Sequence, residues 1–157
     1  MKKGTVIAGI SVLSFITGFF LGGKMLVEMI NEYKEQTNRN LSNMLIMNNW
    51  LNFIYSGGKI SEFFYRNQYN KIMIYGGGYI GIRLAQALSN TDIDVVAIMD
   101  KKVLYNEDIS VIGIDASIPD VDCIVITPVY YYNEITDMLQ KKTTIPMISI
   151  QLIWEST

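Results

Sequence analysis

Gly76, Gly78 and Gly81 stand in the spacing G-x-G-x-x-G, and Asp100 follows the last of them by 19 positions (81 to 100). That spacing suits the binding of a phosphate group. The first glycine permits a tight turn out of a strand. The second lets backbone approach a pyrophosphate with no Cβ in the way, and the third lets the following helix lie close on its sheet. A helix opening there presents unpaired N–H groups and the positive end of its dipole to an anion. An acid about 20 residues further on is placed to accept hydrogen bonds from a pair of ribose hydroxyls. Asp100 would repel a 2′-phosphate, which favours NAD over NADP, while Lys101 and Lys102 directly after it weaken that preference.

Catalytic chemistry is harder to find. The chain has no histidine and one cysteine, Cys123, which excludes the commonest general base, disulfide frameworks, CxxC zinc sites and Cys/His catalysis. No metal site is expected, and no catalytic residue can be named. Tyr130, Tyr131, Tyr132 and Glu134 cluster after one strand, where a Tyr or Glu could serve as acid or base; a crevice wall or an interface is the plainer use of such a segment. With 13 Lys+Arg against 15 Asp+Glu the net charge is −2, and residues 71–157 carry six basic and eleven acidic groups, or 6 − 11 = −5. A chain with no basic surplus is not built to hold nucleic acid.

The elements that must position the glycines are legible around them. KIMIY (71–75) reads as a strand buried on both faces, IRLAQALS (82–89) as a helix, and VVAIM (95–99) as a second strand. Only about nine residues separate Asp100 from ISVIGI (109–114), so the usual second helix is expected to shrink to a loop or turn. DCIVITPV (122–129) is a strong buried strand with Cys123 in its core, YNEITDMLQKK (132–142) a helix, and PMISI (146–150) a last strand. The alternation predicts an α/β fold, a small abbreviated parallel sheet with helices on its faces.

Upstream, residues 4–23 carry no charge and follow Lys2 and Lys3. Twenty residues at about 1.5 Å each match a bilayer core of about 30 Å. A cleaved signal peptide competes with an uncleaved anchor; the run exceeds the usual apolar segment of about 7–15 residues and no clear A-x-A-like site follows, which favours the anchor. Gly18 and Gly22 form a GxxxG suited to close helix approach. Lysines and arginines on both sides leave orientation open by charge. Residues 24–56 read as two helical stretches broken at QTNRN (36–40), the second capped by Asn40 or Ser42 and stopped at Gly57-Gly58. Leu41, Met44, Leu45, Met47, Trp50, Leu51 and Ile54 form its apolar face, which either packs on its own domain or receives a partner. Ser61 is expected to open a short helix, SEFFYRNQY, before the first strand. Three segments are therefore expected: a transmembrane anchor at 1–23, a helical connector at 24–70 and a nucleotide-binding domain at 71–157.

YGGGYIG with the downstream IMD resembles the NAD(P)-binding Rossmann-like superfamily. The compact layout followed by IVIT resembles the small nucleotide-sugar-binding domains that precede bacterial sugar acyltransferases, and membrane-anchored Rossmann-like proteins of bacterial surface-polysaccharide functions. The likeness covers residues 71 to about 150. It implies Gly76, Gly77, Gly78, Tyr79, Ile80, Gly81, Asp100 and Lys101 as contacts to NAD, NADP or a nucleotide-sugar, with Thr127 and Pro128 lining the crevice at the end of the fourth strand. The chain stops where such families place a catalytic domain. The Tyr-x-x-x-Lys pair of short-chain dehydrogenases is absent downstream of the glycines, and Tyr55 with Lys59 has that spacing upstream by coincidence. The function implied is a membrane-anchored binding module working with a partner enzyme or as a homo-oligomer. Its C-terminal domain is expected in the cytoplasm, where nucleotide cofactors are. The alternatives are an epimerase-, reductase- or methyltransferase-like subunit and a structural scaffold with a degenerate site.

Overall fold

The computed structural model describes residues 2–102 and 109–155, with side chains from residue 21 onward. The expected loop in place of a second helix falls largely on 103–108 and lies outside the described residues, as do the side chains of most of the apolar run 4–23. Among the described residues no helix is long and apolar enough to cross a membrane.

The chain divides into two compact units, Met1–Asn40 and Leu41–Thr157. Helix α1 runs from Lys2 to Tyr55 without interruption, so the break expected at 36–40 is absent and neither Asn40 nor Ser42 caps a helix. No Gly or Pro occurs between Lys24 and Ser56, and polar residues alone do not end a helix. Thr37 settles its hydroxyl within the helix, donating from Oγ1 to the carbonyl of Tyr33 at 2.8 Å. The end of α1 is where the two glycines put it. Gly57 adopts φ +88°, its N–H donates to the Ile54 carbonyl, and the Gly58 N–H donates to that of Phe53, both at 2.9 Å. This pair of bonds closes the last turn as a Schellman motif, for which the left-handed backbone of Gly57 is required.

Leu41–Thr157 is an α/β unit built on one five-stranded sheet. After α2 (Ile60–Arg66), which Ser61 enters rather than caps, come β1 (Lys71–Tyr75), α3 (Tyr79–Leu88), β2 (Asp94–Asp100), β3 (Val111–Gly113), β4 (Cys123–Ile126), a 3-10 turn (Val129–Tyr131), α4 (Tyr132–Leu139), β5 (Met147–Ser149) and α5 (Leu152–Glu155). The spatial order is β3-β2-β1-β4-β5, and every neighbouring pair is parallel. Chain order runs outward one way through β2 and β3, then returns to the other side of β1 for β4 and β5. The order reverses between β1 and β4, and crevices form outside the carboxyl ends of strands at such a point.

Alternation along β1 feeds two cores. Ile72 and Ile74 pack with Leu84 and Leu88 of α3, together with Ile46, Trp50 and Phe53 of α1 and Phe64 of α2. Met73 and Tyr75 point to the other face, with Ile135 and Leu139 of α4. Ile46, Trp50 and Phe53 belong to the sheet's own core, within the compact unit Leu41–Thr157. The face of α1 that packs also differs from the one expected. Trp50 and half-buried Met47 are on it, but Leu41, Met44, Leu45, Leu51 and Ile54 stay exposed. Trp50 stacks on Trp154 of α5 with ring centroids 6.1 Å apart.

Candidate functional site

β1 ends at Tyr75, and the chain turns through Gly76, Gly77 and Gly78 into α3. Gly76 has φ +106°, and a Cβ there would stand 2.5 Å from the Thr127 hydroxyl and 2.8 Å from Pro128 Cδ. Conformation and space both demand glycine. At Gly81 a Cβ would overlap the carbonyl oxygen of Gly76, so the first turn of α3 lies directly against the strand's exit. Gly78 differs. Its φ of −72° and ψ of −174° suit any residue, and nothing stands within 4 Å of where its Cβ would be. Folding of this chain does not need glycine at 78, whereas a ligand lying against the backbone there would.

Gly78 is also the N-cap of α3, and no side chain caps that end. The first-turn N–H groups of a ten-residue helix therefore face the open space beside Gly78. Tyr79 is 62% exposed, with the Arg83 guanidinium 5.1 Å from its ring centroid. Ile80 is buried in the core, so only its backbone could meet a ligand.

Asp100 ends β2 next to this turn. One carboxylate oxygen accepts from the Gly77 N–H and the other from the Lys102 N–H at 2.8 Å. Asp100 is thus tied to the glycine turn. A carboxylate has about four acceptor positions, which leaves room for a hydroxyl pair. Lys101 is exposed beside it. Across the switch point, Thr127 is buried and its Oγ1 donates to the carbonyls of Tyr75 at 3.1 Å and Gly76 at 3.2 Å. It fastens the turn from the β4 side, with Pro128 directly after it. The structure therefore gathers Gly76, Gly77, Gly78, Asp100, Thr127 and Pro128 at one end of the sheet.

Among the described residues the other titratable groups near this end offer no acid–base pair. Tyr75 is buried with its hydroxyl unpartnered; burial first, then the charge of Asp100, raises it above its ordinary 10.0. The Tyr132 hydroxyl donates to the Met147 carbonyl at 3.2 Å, Tyr131 packs under the sheet, and Tyr130 meets Tyr131 edge to face. Burial, then the neighbouring Asp122, pushes the Cys123 thiol up to about 12, which makes it a core residue. Among the described residues no group of three or more His, Cys, Asp or Glu could hold a metal. A cleft of about 550 Å³ lined by Gln86, Asp92 and Asp94 lies where β2 begins, at the other end of the sheet from the glycines.

The sequence reading missed the clamp at the opposite end of β1. Asp122 Oδ2 accepts from the N–H groups of Asn70 at 2.7 Å and Lys71 at 2.8 Å, and its own N–H donates to the Lys71 carbonyl at 2.8 Å. An acid directly before a buried strand was the available signal.

Comparison of the chain with protein-family models, with curated proteins and with solved structures finds no match.

Proposed function

We propose that this chain is a nucleotide-binding module for NAD or a nucleotide-sugar, held at a membrane through residues 4–23 and acting with a partner enzyme of bacterial surface-polysaccharide synthesis. The observation that carries the nucleotide reading is Gly78, a glycine that neither its backbone angles nor its neighbours require. It sits at the uncapped start of α3 and at the reversal of strand order. The residues fit the ligand class. Backbone N–H groups of the first turn of α3 would hold the phosphates, Asp100 the ribose hydroxyls, and the Thr127–Pro128 corner would wall the crevice. Among the described residues no acid–base pair stands at this end of the sheet, and a module that presents its ligand to another protein fits that arrangement. The membrane part rests on the length and lack of charge of residues 4–23, and the cytoplasmic orientation rests on where such nucleotides are found.

The test is the thermal midpoint of the full chain against NAD, NADH, NADP and UDP-sugars, repeated with Gly78→Val. Saturation at a hundred times Kd adds about 2.7 kcal/mol, a shift of roughly 5–10 °C for a unit of this size. The variant, which gives up a favoured N-cap glycine at a cost of about 1 kcal/mol or less, is expected to melt within a few degrees of the unliganded chain and to lose the shift. No shift with any of these ligands overturns the reading and leaves a scaffold in its place; a shift that survives Gly78→Val removes the glycine turn from the site.

A further inference from the structure

Helix α1 has more apolar surface than its own domain uses. Within Leu41–Thr157, its last turns bury Ile46, Trp50 and Phe53 on one side, while Met44 at 62%, Leu51 at 50% and Ile54 at 45% stay exposed on another. Within Met1–Asn40, Leu26 at 52%, Ile30 at 44% and Tyr33 at 72% are exposed as well. In the sequence, positions 26, 30, 33, 37, 40, 44, 47, 51 and 54 advance by alternating steps of four and three. That is a 3.5-residue repeat, the spacing that keeps one seam facing a partner helix. Seven of the nine positions are apolar; Thr37 and Asn40 are the exceptions.

Charge follows the same register. With Ile30, Thr37, Met44 and Leu51 as the first positions of successive heptads, Lys24, Glu28, Glu32, Glu35 and Arg39 all fall on outer positions. Lys34 alone flanks the seam. Ile46 and Phe53 also fall on outer positions, turned to their own sheet. Seam residue Met47 is half-buried against that same core and Trp50 beside it stacks on Trp154, so the open seam in these turns is Met44, Leu51 and Ile54.

We propose that α1 pairs along this seam with α1 of a second copy of the chain. The seam carries no charge that would select a different, charged partner. Its polar layer is self-complementary through the Asn40 amide, which both donates and accepts, while the Thr37 hydroxyl, already donating to the Tyr33 carbonyl, can still accept. Six seam side chains that are about half exposed, with their flanks, would remove roughly 600 Å² per copy, about 1,200 Å² for a pair, which exceeds the ~1,000 Å² expected of a specific interface. The pairing does not depend on what the glycine turn binds.

The experiment is sedimentation of the full chain in a mild, density-matched detergent, which reads mass directly. Two copies of the 17.8 kDa chain are expected. Met44→Lys with Leu51→Lys should reduce the species to one copy at the same loading. Asn31→Lys with Asn38→Lys, which adds the same charge on outer positions, should leave two. All four positions are exposed, so the far-ultraviolet spectrum and the thermal unfolding of the sheet unit are expected to persist in both variants. A single-copy mass for the unmodified chain overturns the proposal. So does a two-copy mass that Met44→Lys with Leu51→Lys leaves unchanged, which would move the contact to another part of the molecule.

Discussion

The three motif glycines do different physical work, and substitution separates them. Gly81→Ala forces a methyl into the Gly76 carbonyl, so either the helix backs away from the strand or the turn distorts. A loss of about 2 kcal/mol or more is expected, read as a lower urea midpoint with unchanged slope. Gly78→Val has room and allowed backbone angles, but it replaces a favoured N-cap residue with an unfavoured one, so it should cost no more than about 1 kcal/mol by the same measurement. Asp122 provides a second residue-level test. The Lys71 and Asn70 N–H groups hold its carboxyl below the ordinary 3.8, with the Lys71 charge adding to them. A carboxyl with a lowered folded value stabilises the fold above its unfolded value, and that contribution is lost as pH falls through the folded one. Asp122→Asn should therefore melt below the parent at neutral pH. The gap between the two should close as pH drops below 3.8, and a gap that does not depend on pH would remove the charge from the explanation.

Among the elements, the strands were the most legible. Ile72, Ile74, Ile98 and the run Cys123–Ile126 are buried, and continuous apolar runs between turn residues identify such strands without any alignment. Helix α1 was less legible in two ways. QTNRN reads as a break because it is polar, yet nothing in it interrupts a backbone ladder. The packed face was ambiguous because residues 41–55 are apolar on more than one side; periodicity identifies a helix but cannot choose between two apolar faces. Ile46 is fully buried at 0% exposure while Leu45 beside it is half exposed. Ile46→Ala should therefore cost about 2–5 kcal/mol and Leu45→Ala well under 1 kcal/mol, measured by denaturant unfolding. Trp50 is no probe of partner binding, because its ring stacks on Trp154 and its loss would damage the fold itself.

For the whole molecule, the sequence predicted a small parallel sheet, and the structure adds its order and its point of reversal. That order could not be read from the chain, because nothing in β4 says which side of β1 it will take. The candidate site is legible only as far as glycine spacing carries chemistry: Gly76 and Gly81 are explained by the fold, and Gly78 is the residue on which the nucleotide proposal rests. If two chains pair through α1, the thermal midpoint of the full chain should rise with its concentration. The variant carrying Met44→Lys and Leu51→Lys should show no such dependence.

The central position of β1 also has a cost during synthesis. Tyr75 and Thr127, bonded across the β1–β4 junction, are 52 positions apart. A ribosome adding about 5–20 residues per second takes roughly 3–10 s to cover that interval. Until β4 emerges, the open edge of β1 is an unsatisfied, apolar template inside a nascent chain. The finished sheet has no comparable hazard, since its outer strands β3 and β5 are three residues each and offer little length for a stray strand to pair with. The period of greatest exposure to aggregation is therefore a matter of translation timing, and synonymous codons between the two strands would act on yield without altering a single residue.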